Sequence, residues 1–316
     1  MTSTLGVGII GCGNWGTQHA RVYHEIDNAT LKGVYDIDPE RTIDLSNRYP
    51  FCKIYPTLDE MLKDPEIQAV SICVPAKNHY EVSKRVIQSS KDCLIEKPIT
   101  LKLDHAEELY ELSLENEVNV QVGHIERFNP AVEKALRMVK EGYIGELVAT
   151  HHRRLSPMPR QISDVGVIFD LMIHEFDIAC LLGEPKTVQG EVYYNKNFSK
   201  YEVHANAVIK YKHNALGSIE VSWISPNKIR TLELFGLDGL IQVEYLNQNV
   251  IIQKDIDSRQ VWFHKEEPLK NELESFVKHI LDDVPPKPDI LDGIKALDKC
   301  INFKNSAYKG LTCTAD

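Results

Sequence analysis

The chain has 316 residues, of which 43% are hydrophobic and 26% charged, a composition that excludes a disordered chain and fits a globular protein of two domains. Its formal net charge of −10 argues against a nucleic-acid partner, because phosphate binding needs a cationic face. Residues 1–20 lack the basic segment of a signal peptide, and no run of about 20 apolar residues predicts a membrane span, so we expect a cytoplasmic protein without a membrane partner.

Short apolar strands alternate with amphipathic helices over residues 1–122. Strands this apolar, with a helix between each pair, are typical of a parallel sheet covered on both faces, so this part is predicted to be a Rossmann-type, doubly wound α/β domain. The predicted strands are Leu5–Gly11, Thr30–Tyr35, Ala69–Val74, Asp92–Ile95 and Asn119–Val122. The predicted helices are Asn14–Glu25, Pro39–Arg48, His79–Ser90 and Asp104–Glu117.

The rhythm changes over residues 123–316. Successive strands without intervening helices predict a large mixed or antiparallel open-faced sheet in a second, α+β domain, whose C-terminal helix can pack back on the first domain. The predicted helices are Asn129–Glu141, Phe169–Leu182, Leu269–Asp283 and Asp289–Lys309. The predicted strands are Glu146–Ser156, Val188–Tyr194, Tyr201–Tyr211, Ala215–Ile224, Arg230–Phe235 and Leu240–Ile252, with a hairpin signal at Asp238-Gly239.

A glycine turn, Gly11-Cys12-Gly13-Asn14-Trp15-Gly16, follows the first predicted strand, and Asp36 ends the next strand 20 residues after Gly16. In dinucleotide-binding folds such glycines allow a tight turn and close approach of the pyrophosphate, and the acidic residue binds the ribose hydroxyls. Asp36 would repel a 2′-phosphate, so NAD is favoured, while Arg41 keeps NADP open as the less favoured cofactor. FAD uses the same fingerprint, but a second domain directly after the sheet fits a nicotinamide enzyme better. A strand–helix turn without a ligand is the structural alternative.

Two further places carry candidate chemistry. Lys97 follows the predicted strand Asp92–Ile95, and ligands of a parallel sheet lie beyond the carboxyl ends of its strands. A solvated surface lysine is the alternative. Asp170 and His174 are one turn apart in a predicted apolar helix, so they share one face, which is either a solvent face or a site.

An Asp/His pair at this spacing also raises the question of a metal. Metal sites generally need three or four protein ligands, and no second cluster supplies them clearly. The seven cysteines are odd in number and include no C-x-x-C pair, which argues against zinc knuckles and a disulfide framework. We therefore expect no bound metal.

Five features occur in order along the chain: the run from Gly11 to His19, Asp36, Val74-Pro75 with His79, Glu96-Lys97-Pro98, and Asp170-x-x-x-His174. Together they resemble the glucose–fructose oxidoreductase/inositol dehydrogenase (Gfo/Idh/MocA) family. The resemblance implies that Lys97, Asp170 and His174 are catalytic, and that the open-faced sheet builds a homodimer or homotetramer. Trp15 departs from the family pattern, which more often has a smaller residue there. The cofactor-binding residues that the resemblance implies are Gly11, Gly13, Asn14, Trp15, Gly16, Asp36, Pro75, His79, Glu96 and Lys97.

The segment from Gly123 to Pro130 and the run from Asp164 to Asp177 are most similar to the nucleotide-sugar branch of this family. That similarity implies a substrate such as UDP-N-acetylglucosamine, oxidised at its 3-hydroxyl. Arginines are bidentate donors suited to a diphosphate, although solvated surface arginines are the alternative. The predicted substrate-binding residues are Arg127, Asn129, Arg153, Arg154, Arg160, Asp170 and His174.

The predicted reaction oxidises a secondary hydroxyl of a pyranose with NAD. Imidazole is the side chain best suited to accept a proton near neutral pH, so His174 is the favoured base, with Lys97 assisting and Asp170 orienting the substrate or His174. The order of Lys97 and His174 stays open. An inositol or simple-sugar dehydrogenase is the alternative enzyme, and a non-catalytic NAD(H)-binding sensor is the alternative outside enzymes.

Overall fold

The computed structural model describes residues 4–159, 162 and 164–311. Its contacts divide the chain into two compact units, Met1–His124 with Leu269–Ile294 and Ile125–Pro268 with Lys295–Asp316. Residues 269–294 are therefore grouped with the first unit, whereas the predicted limits, residues 1–122 and 123–316, stay a prediction. Arg160 lies outside the described residues.

Strands and helices account for most of the described chain. The strands are β1 Leu5–Ile10, β2 Ala29–Tyr35, β3 Lys53–Ile54, β4 Ala69–Ile72, β5 Asp92–Glu96, β6 Val120–Gly123, β7 Leu147–Pro157, β8 Pro185–Tyr194, β9 Glu202–Tyr211, β10 Leu216–Ser222, β11 Ile224–Gly236, β12 Gly239–Glu244, β13 Asn249–Lys254 and β14 Asp257–Gln260. The helices are α1 Asn14–Glu25, α2 Pro39–Arg48, α3 Leu58–Lys63, α4 His79–Gln88, α5 Leu103–Glu115, α6 Pro130–Lys140, α7 Ile173–Leu182, α8 Pro268–Leu281 and α9 Ile290–Leu311, with a π-helical segment, Ile168–Met172, before α7.

The first unit contains a six-stranded parallel sheet in the order β3-β2-β1-β4-β5-β6. Every residue of β1 and β4 is buried, as expected when helices cover both faces of a parallel sheet. This order reverses direction between β1 and β4, which is the place where doubly wound sheets bind their ligands. The predicted α/β class is confirmed.

Residues 269–294 add to the edge of this sheet at β6. The side-chain amide of Gln121 donates to the carbonyl oxygen of Glu272 at 3.3 Å, and the backbone N–H of Val122 donates to Pro288 at 2.9 Å. A Cβ on Gly293 would lie 2.9 Å from a Val122 methyl, so α9 begins in close contact with β6.

The second unit contains an eight-stranded sheet in the order β14-β13-β12-β11-β7-β10-β9-β8. Neighbouring strands are antiparallel except β7 and β10, which makes the sheet mixed, as predicted. β11 and β12 form the hairpin expected near Asp238-Gly239, but Gly236 pairs with Gly239, so the two turn residues are Leu237 and Asp238.

One face of this sheet is covered and the other is open. In β7, His152 and Arg154 are buried on the face that contacts α7, whereas His151 and Arg153 are exposed on the opposite face. This alternation follows from the two-residue period of a strand. No helix among residues 4–159, 162 and 164–311 is long and apolar enough to cross a membrane.

Candidate active site

The glycine turn joins β1 to α1. Gly11 has a φ of +93°, a conformation that side chains disfavour, and its backbone N–H donates to Tyr35 at 2.8 Å. A Cβ on Gly16 would lie 1.9 Å from the carbonyl oxygen of Gly11. Helix α1 can therefore pack against the turn only because residue 16 is glycine.

The N-terminus of α1 fits the phosphates of a dinucleotide. Gly13 is the N-cap, no side chain caps the helix, and its first turn carries no acidic residue. Among the described residues, the nearest atom to a Cβ on Gly13 would be Nη1 of Arg41, at 3.7 Å, so the surface over the turn is open. Uncapped N–H groups at a helix N-terminus favour an anion. Asn14 and Trp15, which are predicted to contact the cofactor, are exposed in this first turn.

Asp36 connects two loops at this edge of the sheet. Its Oδ2 accepts a hydrogen bond from the backbone N–H of Cys12 at 2.6 Å, and its Oδ1 accepts one from Asp38 at 2.9 Å. Each carboxylate oxygen can accept a second hydrogen bond, so the group still suits ribose hydroxyls. Arg41 is half exposed and pairs with Asp38 at 3.1 Å.

Lys97 follows β5 in a turn held by His79. The Lys97–Pro98 peptide bond is cis. The buried imidazole of His79 contacts the carbonyl oxygen of Pro98 at 2.6 Å through Nδ1, and that of Val74 at 2.9 Å through Nε2. His79, which starts α4 after the Pro75 turn, therefore ties the end of β4 to the lysine turn, and both ring nitrogens contact the protein's own backbone.

Buried Glu96 ends β5 and contacts buried His19 and the partly exposed Trp15. Its Oε1 is 3.1 Å from Nε2 of His19, and a Cβ on Gly123 would come within 2.9 Å of the same oxygen. Burial raises the pKa of Glu96, but hydrogen bonds from His19 and Trp15 and the charge of Lys97 outweigh it and hold that pKa below the ordinary value. The predicted cofactor residues Glu96 and Trp15 thus also connect α1 to β5.

Asp170 and His174 are both buried, at 8% and 7% exposure, in the second unit. Helix α7 does not begin at Phe169 as predicted, because residues 168–172 form a π-helix, an irregularity that often marks functional sites. Oδ2 of Asp170 accepts a hydrogen bond from the indole N–H of Trp223 at 3.1 Å. Their burial argues against the alternative that the pair lies on a solvent face of the helix.

Two neighbours hold the π-helical segment in place. The carboxylate of buried Glu202 accepts a hydrogen bond from the backbone N–H of Ile168 at 3.3 Å, and Cys300 Sγ donates to the Ile168 carbonyl at 3.6 Å. A Cβ on Gly166 would lie 2.2 Å from the Glu202 carboxylate. Burial raises the pKa of Glu202.

Arg154 is enclosed in an ion-pair network. Its Nη2 donates to Glu126 at 2.8 Å and its Nε to Glu175 at 2.6 Å, and the guanidinium is 2% exposed. Glu175 also contacts Nδ1 of His152 at 3.2 Å. Burial alone would raise the pKa of Glu175, but Arg154 and His152 bring it down to about 2. The guanidinium of Arg154 is thus occupied by two carboxylates of the protein, which argues against its predicted contact with a diphosphate.

Two other arginines predicted to bind the substrate also pair with carboxylates of the protein, and one of them lies on the opposite face of the sheet from His174. Arg127 donates through Nε and Nη2 to Asp177 at 2.6–3.0 Å, a bidentate pair. Arg153 is on the open face of the sheet, paired with Glu220 at 2.8 Å, because it alternates with His152 and Arg154, whose side chains contact Glu175 of α7. The sheet therefore separates Arg153 from the face that carries α7 and His174.

Asn129 caps α6 instead of facing open space. Its side-chain oxygen accepts a hydrogen bond from the backbone N–H of Ala131 at 3.1 Å, and its amide donates to Glu126 and to the carbonyl of Tyr245. Asn129 is 2% exposed. These contacts argue against its predicted contact with the substrate.

Three residues with contacts in this region carry no role in the sequence interpretation. His19 lies within the quoted glycine run, yet its pairing with Glu96 joins residues 77 positions apart. Trp223 and Arg230 belong to the strand-rich second half, where no motif marks them. Only the packing of β10 and β11 brings them to Asp170 and Glu126. Among the described residues, no group of three or more histidine, cysteine or acidic side chains is arranged to hold a metal ion.

Family models match both halves of the chain. Residues 5–124 match the oxidoreductase family GFO/IDH/MocA, NAD-binding Rossmann fold, and residues 132–242 match the GFO/IDH/MocA C-terminal domain. The chain belongs to the GFO/IDH/MocA family. As a family member it is a nicotinamide-dinucleotide-dependent oxidoreductase that acts on CH–OH groups, as predicted.

Relatives within the family act on sugars or cyclitols. The chain is 27% identical over 297 residues to UDP-N-acetylglucosamine 3-dehydrogenase of Acidithiobacillus ferrooxidans, covering 91% of each chain. It is 27% identical over 309 residues to myo-inositol 2-dehydrogenase of Thermotoga maritima, covering 92% of each. The solved structure of the Acidithiobacillus enzyme superposes with a TM-score of 0.89 over 98% of this chain and 99% of that one, at 27% identity.

Proposed function

We propose that this GFO/IDH/MocA protein is an NAD-dependent dehydrogenase that oxidises a secondary hydroxyl of a nucleotide sugar, such as the 3-hydroxyl of UDP-N-acetylglucosamine. The observation that carries the proposal is the buried Asp170–His174 pair, with Asp170 oriented by the Trp223 indole. Polar groups held in fixed positions in an apolar surrounding can orient a substrate hydroxyl for reaction. The likeness to the Acidithiobacillus dehydrogenase supports the nucleotide sugar as the substrate class.

Each catalytic side chain has one proposed task. An imidazole nitrogen of His174 accepts the proton of the substrate hydroxyl, and Asp170 orients that hydroxyl or the imidazole. The ammonium group of Lys97, in the turn held by His79, stabilises the oxygen as it becomes negative. When bound, the nicotinamide supplies the acceptor for the two electrons that leave the carbon.

NAD is the proposed cofactor because of Asp36. A 2′-phosphate on the ribose would meet the Asp36 carboxylate, which is fixed by the Cys12 and Asp38 backbone N–H groups and cannot easily turn away. Titration of NADH and NADPH by fluorescence tests this. NADH should bind at least about 10-fold more tightly, since like charges in contact cost a kcal/mol or more. Tighter binding of NADPH would contradict the assignment.

The substrate is tested by NAD reduction with UDP-N-acetylglucosamine and with myo-inositol. We expect turnover of the nucleotide sugar, and Lys97→Met and His174→Ala should each lower kcat by about 100-fold or more, as for removal of an acid–base group. Exposed Lys140→Met on α6 is the matched control for lysine loss. Wild-type rates in both site variants would reject the catalytic assignment.

A simple-polyol dehydrogenase is the second candidate. The similarity to myo-inositol 2-dehydrogenase is equal in identity, and Arg127 and Arg154, two arginines predicted to bind a diphosphate, are paired with carboxylates. Turnover of myo-inositol without thermal stabilisation by UDP would favour this candidate.

A further inference from the structure

Arg230 lies in β11 directly opposite Arg154 of β7, so two arginines face each other across neighbouring strands. Like charges at such a position are unfavourable unless carboxylates intervene. Oε1 of Glu126 serves both arginines, at 2.8 Å from Nη2 of Arg154 and at 3.3 Å from Nη1 of Arg230. Arg230 therefore shares the face of the sheet on which Arg154 and α7 lie.

The two arginines differ in how far their donors are used. The Arg154 guanidinium is 2% exposed and bonded to two carboxylates, whereas the Arg230 side chain is 33% exposed. Among the described residues, the long contact with Glu126 is the one hydrogen bond of the Arg230 guanidinium, which has five N–H donors. Arg230 thus keeps most of its donors for another acceptor.

Electrostatics connect Arg230 with the candidate site. The charge of Arg154, followed by burial, lowers the pKa of Arg230, while Glu126, Glu175 and Asp170 act in the opposite direction. Arginine remains charged throughout the physiological range despite such a shift. A guanidinium cation therefore lies within the electrostatic influence of Asp170, in the part of the second unit where the substrate is proposed to bind.

We propose that Arg230 is a substrate-binding residue that pairs with an oxyanion of the sugar substrate, supplied either by the phosphate of a nucleotide sugar or by the carboxylate of a uronic acid. This inference rests on the proposed function, because it requires the sugar to bind beside Asp170. A guanidinium binds both oxyanions in the same bidentate way, and a neutral polyol offers it no such partner.

Calorimetric titration of the NADH-saturated full-length protein with UDP, glucuronate and myo-inositol tests the inference. Wild-type protein should bind UDP or glucuronate, and the ligand bound identifies the oxyanion. Arg230→Gln should lower the affinity for that ligand by about 10- to 100-fold, the effect of losing hydrogen bonds to a charged group. It should leave the affinity for myo-inositol unchanged. Arg230→Lys should lie between the two, because it keeps the charge and loses the fork. Arg230→Lys provides the test if the Arg230→Gln variant does not fold.

Arg137→Gln is the matched control, since Arg137 also pairs with a glutamate but is exposed on α6. Unchanged oxyanion binding in Arg230→Gln, or no binding of either oxyanion by wild type, overturns the inference. Turnover is measured separately with NAD and the same sugars. Turnover of myo-inositol without oxyanion binding removes the role of Arg230 alone. Arg230-dependent binding of UDP without turnover of any sugar contradicts the proposed dehydrogenase and leaves the oxyanion contact standing.

Discussion

Trp223 is 1% exposed, and its indole N–H is directed at Asp170. Trp223→Phe keeps an aromatic ring in the core and removes this donor. A hydrogen bond to a charged group contributes about 1.5–3 kcal/mol, so kcat should fall about 10-fold or more while NADH affinity stays unchanged. Steady-state kinetics and NADH titration, at a temperature where circular dichroism shows the variant folded, measure both. An unaltered kcat would mean that Asp170 needs no orientation from the indole.

Glu175 gives the second unit an acid-sensitive ion pair. Its pKa is lowered from 4.5 to about 2, so the stability it contributes is complete above 4.5 and is lost as the pH falls toward the lowered value. Glu175→Gln leaves Arg154 short of one carboxylate, which should cost about 3–5 kcal/mol of unfolding free energy at neutral pH.

Urea unfolding of wild type and Glu175→Gln between about pH 7 and pH 3 measures this contribution. The difference between the two proteins should shrink below pH 4.5. Glu133→Gln, which removes an exposed glutamate from its pair with Arg137, should change the unfolding free energy by less than about 1 kcal/mol at all these pH values. A difference independent of pH would show that the Glu175 charge is not what stabilises the network.

At the scale of single residues, the sequence was informative where chemistry depends on local spacing. The glycine turn and Asp36 follow one another along β1, α1 and β2, so their roles are visible in one short stretch. The partners of Arg154 are 28 and 21 positions away, and no local pattern reports whether a buried carboxylate will meet an arginine. That is why a diphosphate role for Arg154 looked as reasonable as an ion pair.

At the start of helix α1, Gly13 and Gly16 are needed for different reasons, one for cofactor binding and the other for packing. Gly16→Ala should destabilise the protein by about 3 kcal/mol or more, because its Cβ would lie 1.9 Å from the Gly11 carbonyl oxygen. Gly13→Ala has room for its Cβ, with the nearest atom at 3.7 Å, and should retain the wild-type melting temperature. Gly13→Ala should nevertheless weaken the binding of NADH, because the added methyl lies where the backbone is proposed to approach the pyrophosphate.

Thermal unfolding and NADH titration of both glycine variants distinguish the two effects. The structural interpretation of Gly16 is wrong if Gly16→Ala melts at the wild-type temperature. The pyrophosphate contact of Gly13 is wrong if Gly13→Ala binds NADH with wild-type affinity.

Elements were predicted well where an apolar pattern is long. The two-residue strand β3 is exposed and was missed, together with the short α3 beside it. The predicted strand Leu240–Ile252 is two strands, β12 and β13. Their boundary is not evident from the sequence, because both strands alternate and the turn between them lacks a strong hairpin signal. The π-helical segment depends on contacts of Ile168 with Glu202 and Cys300, which are distant in sequence.

At the scale of the whole molecule, the open face of the second sheet predicts self-association. We propose a homodimer or homotetramer, because Val208 and Leu216 are 58% and 54% exposed on this face. From Leu216 the apolar row continues through Ala149 of β7 to partly buried Phe235 and Leu240. Such a contiguous apolar surface is unusual on a monomer.

Val208→Glu combined with Leu216→Glu should place buried charges in that interface and dissociate the assembly. Light scattering after size exclusion measures the mass of each form. Ile256→Glu is the matched control, since Ile256 is 99% exposed at the turn between β13 and β14. A wild-type protein that elutes as a monomer would refute the proposed assembly.

The carboxylate of Asp36 limits how the cofactor preference of this protein can be redesigned. Replacing Asp36 with a neutral residue is the obvious way to admit a 2′-phosphate. Its Oδ2, however, fastens the loop after β1 to the loop after β2, and its Oδ1 holds the Asp38 N–H within the second loop. A cofactor-swapped variant would therefore inherit a looser binding loop. A successful redesign must add a new brace for the Cys12 and Asp38 N–H groups before it adds a cation for the phosphate.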